Sequence, residues 1–156
     1  MVRVMATGVF DLLHPGHIHY LTEAKKLGDE LVVVVARDGT AERFKHRPIT
    51  SEDHRVQMVA ALKPVDRAVL GRAGEIYDIL TDLRPDVIAL GYDQVHDEAR
   101  IAEECRKRGL PDTKVVRLPR FEGDLAGTRK IIAKVAEYLA LQRRLQVVED
   151  APARKK

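Results

Sequence analysis

Apolar residues fall along this chain in two kinds of stretch, and the two alternate. Short runs rich in Val, Leu, Ile and Ala at Val2 to Ala6, Glu30 to Ala36, Val65 to Leu70, Asp86 to Leu90 and Lys114 to Leu118 predict five strands. The most apolar of these, Leu31 to Val35, suits a central parallel strand buried on both faces. Between the runs, apolar positions recur at helical spacing. Ile18, Leu21, Ala24 and Leu27 predict a helix from near His17 to Gly28, and Met58, Val59 and Leu62 belong to one that starts at Thr50-Ser51-Glu52-Asp53 and stops at Lys63-Pro64. Glu75 to Leu83 reads as an amphipathic helix, and Asp97 to Arg108 as a polar one closed by Gly109. The β-α-β-α order predicts an α/β fold: a single Rossmann-like, doubly wound, parallel five-stranded sheet with right-handed crossovers.

Ile131, Ile132, Val135, Tyr138, Leu139, Leu141 and Leu145 make a long last helix, with an apolar face larger than one domain covers, so a homodimer is expected. The folded domain is expected over 1–145, and the charged segment 146–156, with Pro152, as a disordered tail. No internal repeat or linker divides the chain.

The polar interruptions at strand ends carry the chemistry. The first strand runs into Thr7-Gly8-Val9-Phe10-Asp11-Leu12-Leu13-His14-Pro15-Gly16-His17, a turn that leads into a helix N-terminus. Unpaired backbone N–H groups and the positive end of a helix dipole then meet at the carboxyl edge of the sheet, where polyphosphate binds. His14 and His17 lie three apart across a Pro-Gly turn, so both rings can face one phosphoryl group. The plainer reading makes one a structural histidine and leaves the other exposed. There is neither a G-x-x-x-x-G-K-[ST] phosphate loop nor a G-x-G-x-x-G dinucleotide fingerprint.

T-G-V-F-D-L-L-H-P-G-H resembles the signature of the HxGH nucleotidyltransferases, the cytidylyltransferase-like group. Three further stretches, Leu27 to Asp38, Ala61 to Gly71 and Pro85 to Gln94, resemble archaeal FAD synthases within that group, and the likeness spans roughly residues 2 to 140. It implies transfer of AMP from ATP to FMN, with FAD and pyrophosphate as products and a divalent metal, Mg²⁺, neutralising the leaving group. His14 and His17 are then the catalytic donors to the α-phosphate, and Gly8, Val9, Phe10, Pro15 and Gly16 belong to the nucleotide turn. Arg120-Phe121-Glu122-Gly123 resembles the R-T-E-G of glycerol-3-phosphate cytidylyltransferases, though the Ser/Thr cluster that follows there is missing. A cytidylyltransferase acting on glycerol 3-phosphate or a similar small phosphate therefore stays open. So does a regulatory module that binds a nucleotide without turnover.

Other candidates sit on neighbouring strand ends. Asp38, in Arg37-Asp38-Gly39-Thr40, can contact ligand, although an Asp before Gly also reads as a plain turn. Ala41 to Pro48 is expected as a mobile basic loop near the phosphates; the resemblance selects its Lys45 and Arg47, against a merely solvated charge run. Arg55 lies in S-E-D-H-R, which resembles the E-H-R of the family's nucleotide-binding helix. Gly91 permits close backbone approach and Asp93 can accept from a ribose hydroxyl or orient a metal-bound water, with a plain turn Asp as the alternative. Arg120 and Thr128 are phosphate candidates before the last helix, and Phe121 and Tyr92 stand near strand ends where an isoalloxazine ring could stack.

Composition narrows the partners. A chain of 156 residues with 45% apolar side chains can build one real core. Its 27 basic and 24 acidic residues leave +3, too little for the clustered basic face of a nucleic-acid binder, so none is expected. Cys105 is the one cysteine, which excludes a disulfide framework and a Cys-based zinc site. No apolar run approaches the ~20 residues that span a bilayer and no apolar leader opens the sequence given, so a cytoplasmic protein with no membrane partner is expected.

Overall fold

The structure is a computed structural model that describes residues 1–123 and 127–149. Its strands β1 (Arg3–Gly8), β2 (Glu30–Val35), β3 (Arg67–Leu70), β4 (Val87–Leu90) and β5 (Lys114–Arg117) form one sheet in the order β3-β2-β1-β4-β5, and every pairing is parallel. The helices are α1 (Pro15–Lys25), α2 (Asp38–Phe44), α3 (Glu52–Ala60), α4 (Ile79–Leu83), α5 (Glu98–Lys107) and α6 (Thr128–Glu149). The doubly wound five-stranded sheet is thus present as expected.

Successive residues of a strand point to opposite faces, and here both faces are apolar. Val4, Ala6, Leu31, Val33, Val35 and Ala89 pack under α1 and α3 with Leu21, Ala24 and Val59. Met5, Val32, Val34, Ile88 and Leu90 pack on the other face against α4 and α5 with Leu80, Leu83, Ile101 and Cys105. Each fully buried Val, Leu or Ile among them contributes roughly 1.5–3 kcal/mol, which ties the sheet between its two helical layers. That arrangement leaves the loops after β1, β2, β4 and β5 together at the carboxyl edge.

Some elements differ from expectation. Residues 41–44 of the predicted basic loop are helical, within α2, and Arg37 to Thr40 is its start rather than a free turn. Only Ala41 of this seven-residue helix is buried, so no apolar period marked it. The predicted helix over Glu75 to Leu83 is a 3-10 turn at Ile76–Asp78 followed by α4, stopped by Arg84 in a left-handed conformation. The last helix continues through residue 149, into the segment expected as a tail, while 150–156 lie outside the described residues. Ile132, Val135, Tyr138, Leu139, Leu141 and Leu145 are exposed along it. No helix among the described residues is long and apolar enough to cross a membrane.

Candidate active site

The site grows from the end of β1. Phe10 adopts a left-handed backbone (φ 53°), rare for a bulky residue, and its ring is buried. It packs on His17 (centroids 5.3 Å apart) and Tyr20 (6.3 Å). A Cβ at Gly8 would lie 2.8 Å from that ring, so this turn closes only with glycine there. Tyr20 in turn donates to the carbonyl of Ala89 (2.8 Å), fastening α1 to the end of β4.

His14 caps α1: its Nδ1 accepts from the Gly16 N–H at 3.1 Å, which places the imidazole proton on Nε2. Pro15 takes the first helical position. The rings of His14 and His17 stack 3.8 Å apart. Burial, then the neighbouring His14 and Lys45, push the His17 imidazole down to about 3 against a weaker pull from Asp11. Burial also lowers His14, against the opposing charge of Asp93. Both rings are neutral at pH 7. Nδ1 of His17 is buried without a hydrogen-bond partner among the described residues, a cost of roughly 1–3 kcal/mol.

Two cavities open on either side of the Gly8-Val9 turn. The larger, about 480 Å³, is lined by Phe10, His14, Gly16, His17, Gly91 and Thr128 among others. The smaller, about 210 Å³, is walled by Val34, Phe44, Tyr77, Ile79, Ile88 and Leu90 among others. Gly8, Val9, Lys45 and Asp93 line both, so these four candidates stand on the shared wall.

Five predicted residues do not line the cavities: Pro15, which takes the first position of α1, and four charged side chains. Arg55 is fully buried, its guanidinium donating to the carbonyls of Thr50 (3.0 Å), Val9 (2.6 Å) and Ala36 (2.8 Å) and to the Asp38 carboxylate (2.6 Å). It holds the turn from beneath. Asp38 is accordingly Arg55's counter-ion, with its own N–H given to Glu52 (2.8 Å). Arg47 points into solvent 3.6 Å from Glu42. Arg120 lies over the Tyr92 ring at 5.6 Å.

Other contributors were not singled out from sequence. Asp11 accepts from the N–H groups of Ile49 (2.8 Å) and Thr50 (3.0 Å) and from the Thr50 hydroxyl (2.8 Å), pinning the chain after α2 onto the turn. Burial raises its carboxyl, but those donors and Arg55 outweigh it and hold the group below the usual value. Gln94 donates to the Thr7 carbonyl (2.7 Å) and accepts from the Gly91 N–H (3.2 Å), bridging the ends of β1 and β4. Arg129 and Lys130, at the start of α6, add positive charge to the larger cavity. Residues 124–126, part of the stretch before the last helix, lie outside the described residues.

Among the described residues no three His, Cys, Asp or Glu side chains are grouped to hold a metal ion. Asp11 is occupied by its own donors. The residues present do not form a metal cage. Mg²⁺ characteristically binds through substrate phosphates and waters instead.

The cytidylyltransferase-like family model matches residues 5–117. A curated relative from Aciduliprofundum boonei, named FAD synthase, is 64% identical over 88% of this chain and 92% of its own length. Another of that name, from Archaeoglobus profundus, is 51% identical over 96% and 95%. A solved structure from Thermoplasma volcanium, described as a lipopolysaccharide core biosynthesis protein, is 52% identical, covers 78% of this chain and 99% of that one, and superposes with a TM-score of 0.76. With its HxGH turn at the carboxyl end of β1, the chain belongs to the cytidylyltransferase-like family.

Proposed function

We propose that this chain is an FAD synthase that transfers the AMP unit of ATP to FMN, releasing pyrophosphate. The observation that carries the reading is the pairing of the two cavities across one phosphate turn. Triphosphate lies in the larger one, with its α-phosphate at His14 and His17 and its outer phosphates toward Thr128, Arg129, Lys130 and the start of α6. The apolar smaller cavity takes the isoalloxazine ring, and the shared wall at Lys45 lets the FMN phosphate reach the other side.

An FMN phosphate oxygen attacks the α-phosphorus in line; the new P–O bond forms as the bond to the β-phosphate oxygen breaks, and pyrophosphate leaves with the electron pair. No nucleophile needs deprotonation, so the protein positions and stabilises charge. Neutral imidazoles suit this task as single N–H donors. A divalent ion, Mg²⁺, accompanies the phosphates.

Glycerol 3-phosphate would leave the apolar cavity empty, which disfavours the cytidylyltransferase alternative. Pyrophosphate release is measured with FMN plus ATP, FMN plus CTP, and glycerol 3-phosphate plus CTP, each with Mg²⁺. Release with FMN plus ATP alone, with FAD formed, is expected; release only with glycerol 3-phosphate plus CTP overturns the substrates. The exposed apolar residues of α6 support a homodimer, for which solution scattering at micromolar concentration gives twice the chain mass; a monomeric mass overturns it. The domain over 1–145 is cytoplasmic in this reading.

A further inference from the structure

The loop after β4 serves both cavities, but not evenly. Gly91 and Tyr92 line the larger, Val95 and His96 the smaller, and Asp93 and Gln94 both. The first half of the loop has its own ties. Gln94 accepts from the Gly91 N–H (3.2 Å) and donates to the Thr7 carbonyl (2.7 Å), which fixes Gly91 to Gln94 on the end of β1. The second half lacks such an anchor: Val95 is 91% exposed, so apolar burial does not hold it.

One guanidinium spans the whole loop. The parallel register sets Arg117, the last residue of β5, beside Leu90, the last of β4, so its side chain stands where the loop begins. It donates to the carbonyls of Gly91 (3.0 Å), Gln94 (3.0 Å) and His96 (2.8 Å), and its Nε donates to the Glu98 carboxylate (2.7 Å) in the first turn of α5. Among the described residues, the bond to the His96 carbonyl is what holds Val95 and His96. Arg117 itself lines neither cavity. All four bonds lie at the surface, where water would satisfy the same oxygens, so they add little to global stability and act chiefly on the shape of the loop. Three carbonyls and a carboxylate in fixed directions need the rigid fork of an arginine rather than the point charge of a lysine.

We infer that Arg117 is a positioning residue for the acceptor, which holds Val95 and His96 as a preformed wall of the smaller cavity without touching the ligand. This rests on the reading that FMN occupies that cavity and deepens it, by naming what keeps the cavity in shape before FMN arrives. Without Arg117 the wall samples other shapes, and the apparent affinity for FMN falls in proportion to the fraction that stays competent. The half of the loop that faces the nucleotide keeps its Gln94 ties.

The test compares the full chain as wild type, Arg117→Ala, Arg117→Lys and Glu98→Gln by steady-state turnover with FMN and ATP, urea unfolding, and backbone amide order parameters of the ligand-free protein. Arg117→Ala is expected to raise the KM for FMN about 10-fold, the scale of re-ordering one freed residue, while the KM for ATP and kcat at saturating FMN stay within about twofold. Order parameters fall at Val95 and His96, and the urea midpoint stays that of wild type. Arg117→Lys restores part of the FMN KM. Glu98→Gln removes the ion pair, leaves the carbonyl bonds and behaves as wild type. An unaltered KM for FMN overturns the inference, as does an equal rise in both constants, or a drop in urea midpoint large enough to account for the loss by unfolding. If the wild type makes no FAD from FMN, the acceptor reading fails by itself; order parameters that fall only at Val95 and His96 in Arg117→Ala then still support Arg117 as the residue that holds this wall, and unchanged ones overturn it.

Discussion

The two cavities beside the Gly8-Val9 turn share a wall and have opposite characters. The larger holds stacked neutral histidines, Lys45 and the start of α6; the smaller is closed by Val34, Ile79, Ile88 and Leu90. One works through a few atoms in fixed places, the other through apolar area. The first should therefore respond to mutation in rate and the second in acceptor affinity. Damage to the wall between them should affect both.

Arg55→Leu is the severest break, because it removes the wall's support. The carbonyls of Val9, Ala36 and Thr50 lose their donor at roughly 1 kcal/mol each, so a loss of about 3 kcal/mol in urea unfolding is expected, with both substrates bound more weakly. Wild-type stability in this variant would mean the wall does not depend on Arg55. His17→Ala should lower kcat at least ~10²-fold, about 2.7 kcal/mol, in a protein that still folds and binds FMN. Near-normal turnover would remove His17 from the chemistry and with it the distinction between the cavities. Phe44→Ala, on the exposed rim of the smaller cavity, should raise the KM for FMN about fivefold and leave that for ATP alone, as expected for roughly 1 kcal/mol of lost apolar contact. A shift in the ATP constant instead would put nucleotide, not flavin, in the apolar cavity.

The same contrast explains what the sequence displayed. The strands were legible because burial on both faces writes unbroken apolar runs, and the turn was legible because its residues are contiguous. The smaller cavity draws on Val34, Phe44, Ile79 and Leu90 from separate elements, and each reads locally as ordinary core. Arg55 was visible as an important basic residue, but not its direction: nothing in S-E-D-H-R says that the guanidinium points inward to three carbonyls. Asp11 lies inside the same turn, but its role is not written there, because its partners Ile49 and Thr50 are remote in the chain. The seven residues of α2 were hidden for want of an apolar stripe.

The last expected effect concerns pH, and its sign follows from His17. The native state holds that imidazole near 3 against an ordinary 6.5, so the unfolded chain takes up a proton that the folded one refuses. The contribution of neutral His17 is complete above pH 6.5 and declines as pH falls from there toward 3, by at most about 1.4 kcal/mol per pH unit. His14, lowered in the same direction, adds to the slope. Asp11 does not interfere: its carboxyl is held below 3.8, so its stabilisation is lost only under more acid conditions. Urea midpoints between pH 7 and 5 should therefore fall more steeply for wild type than for His17→Gln, which has no group to titrate there. Phe44→Ala, confined to the apolar cavity, should keep the wild-type slope. Equal slopes for wild type and His17→Gln would mean that the native state protonates His17 freely. The polar cavity would then present an imidazolium to the phosphates rather than the neutral donor from which its chemistry is derived.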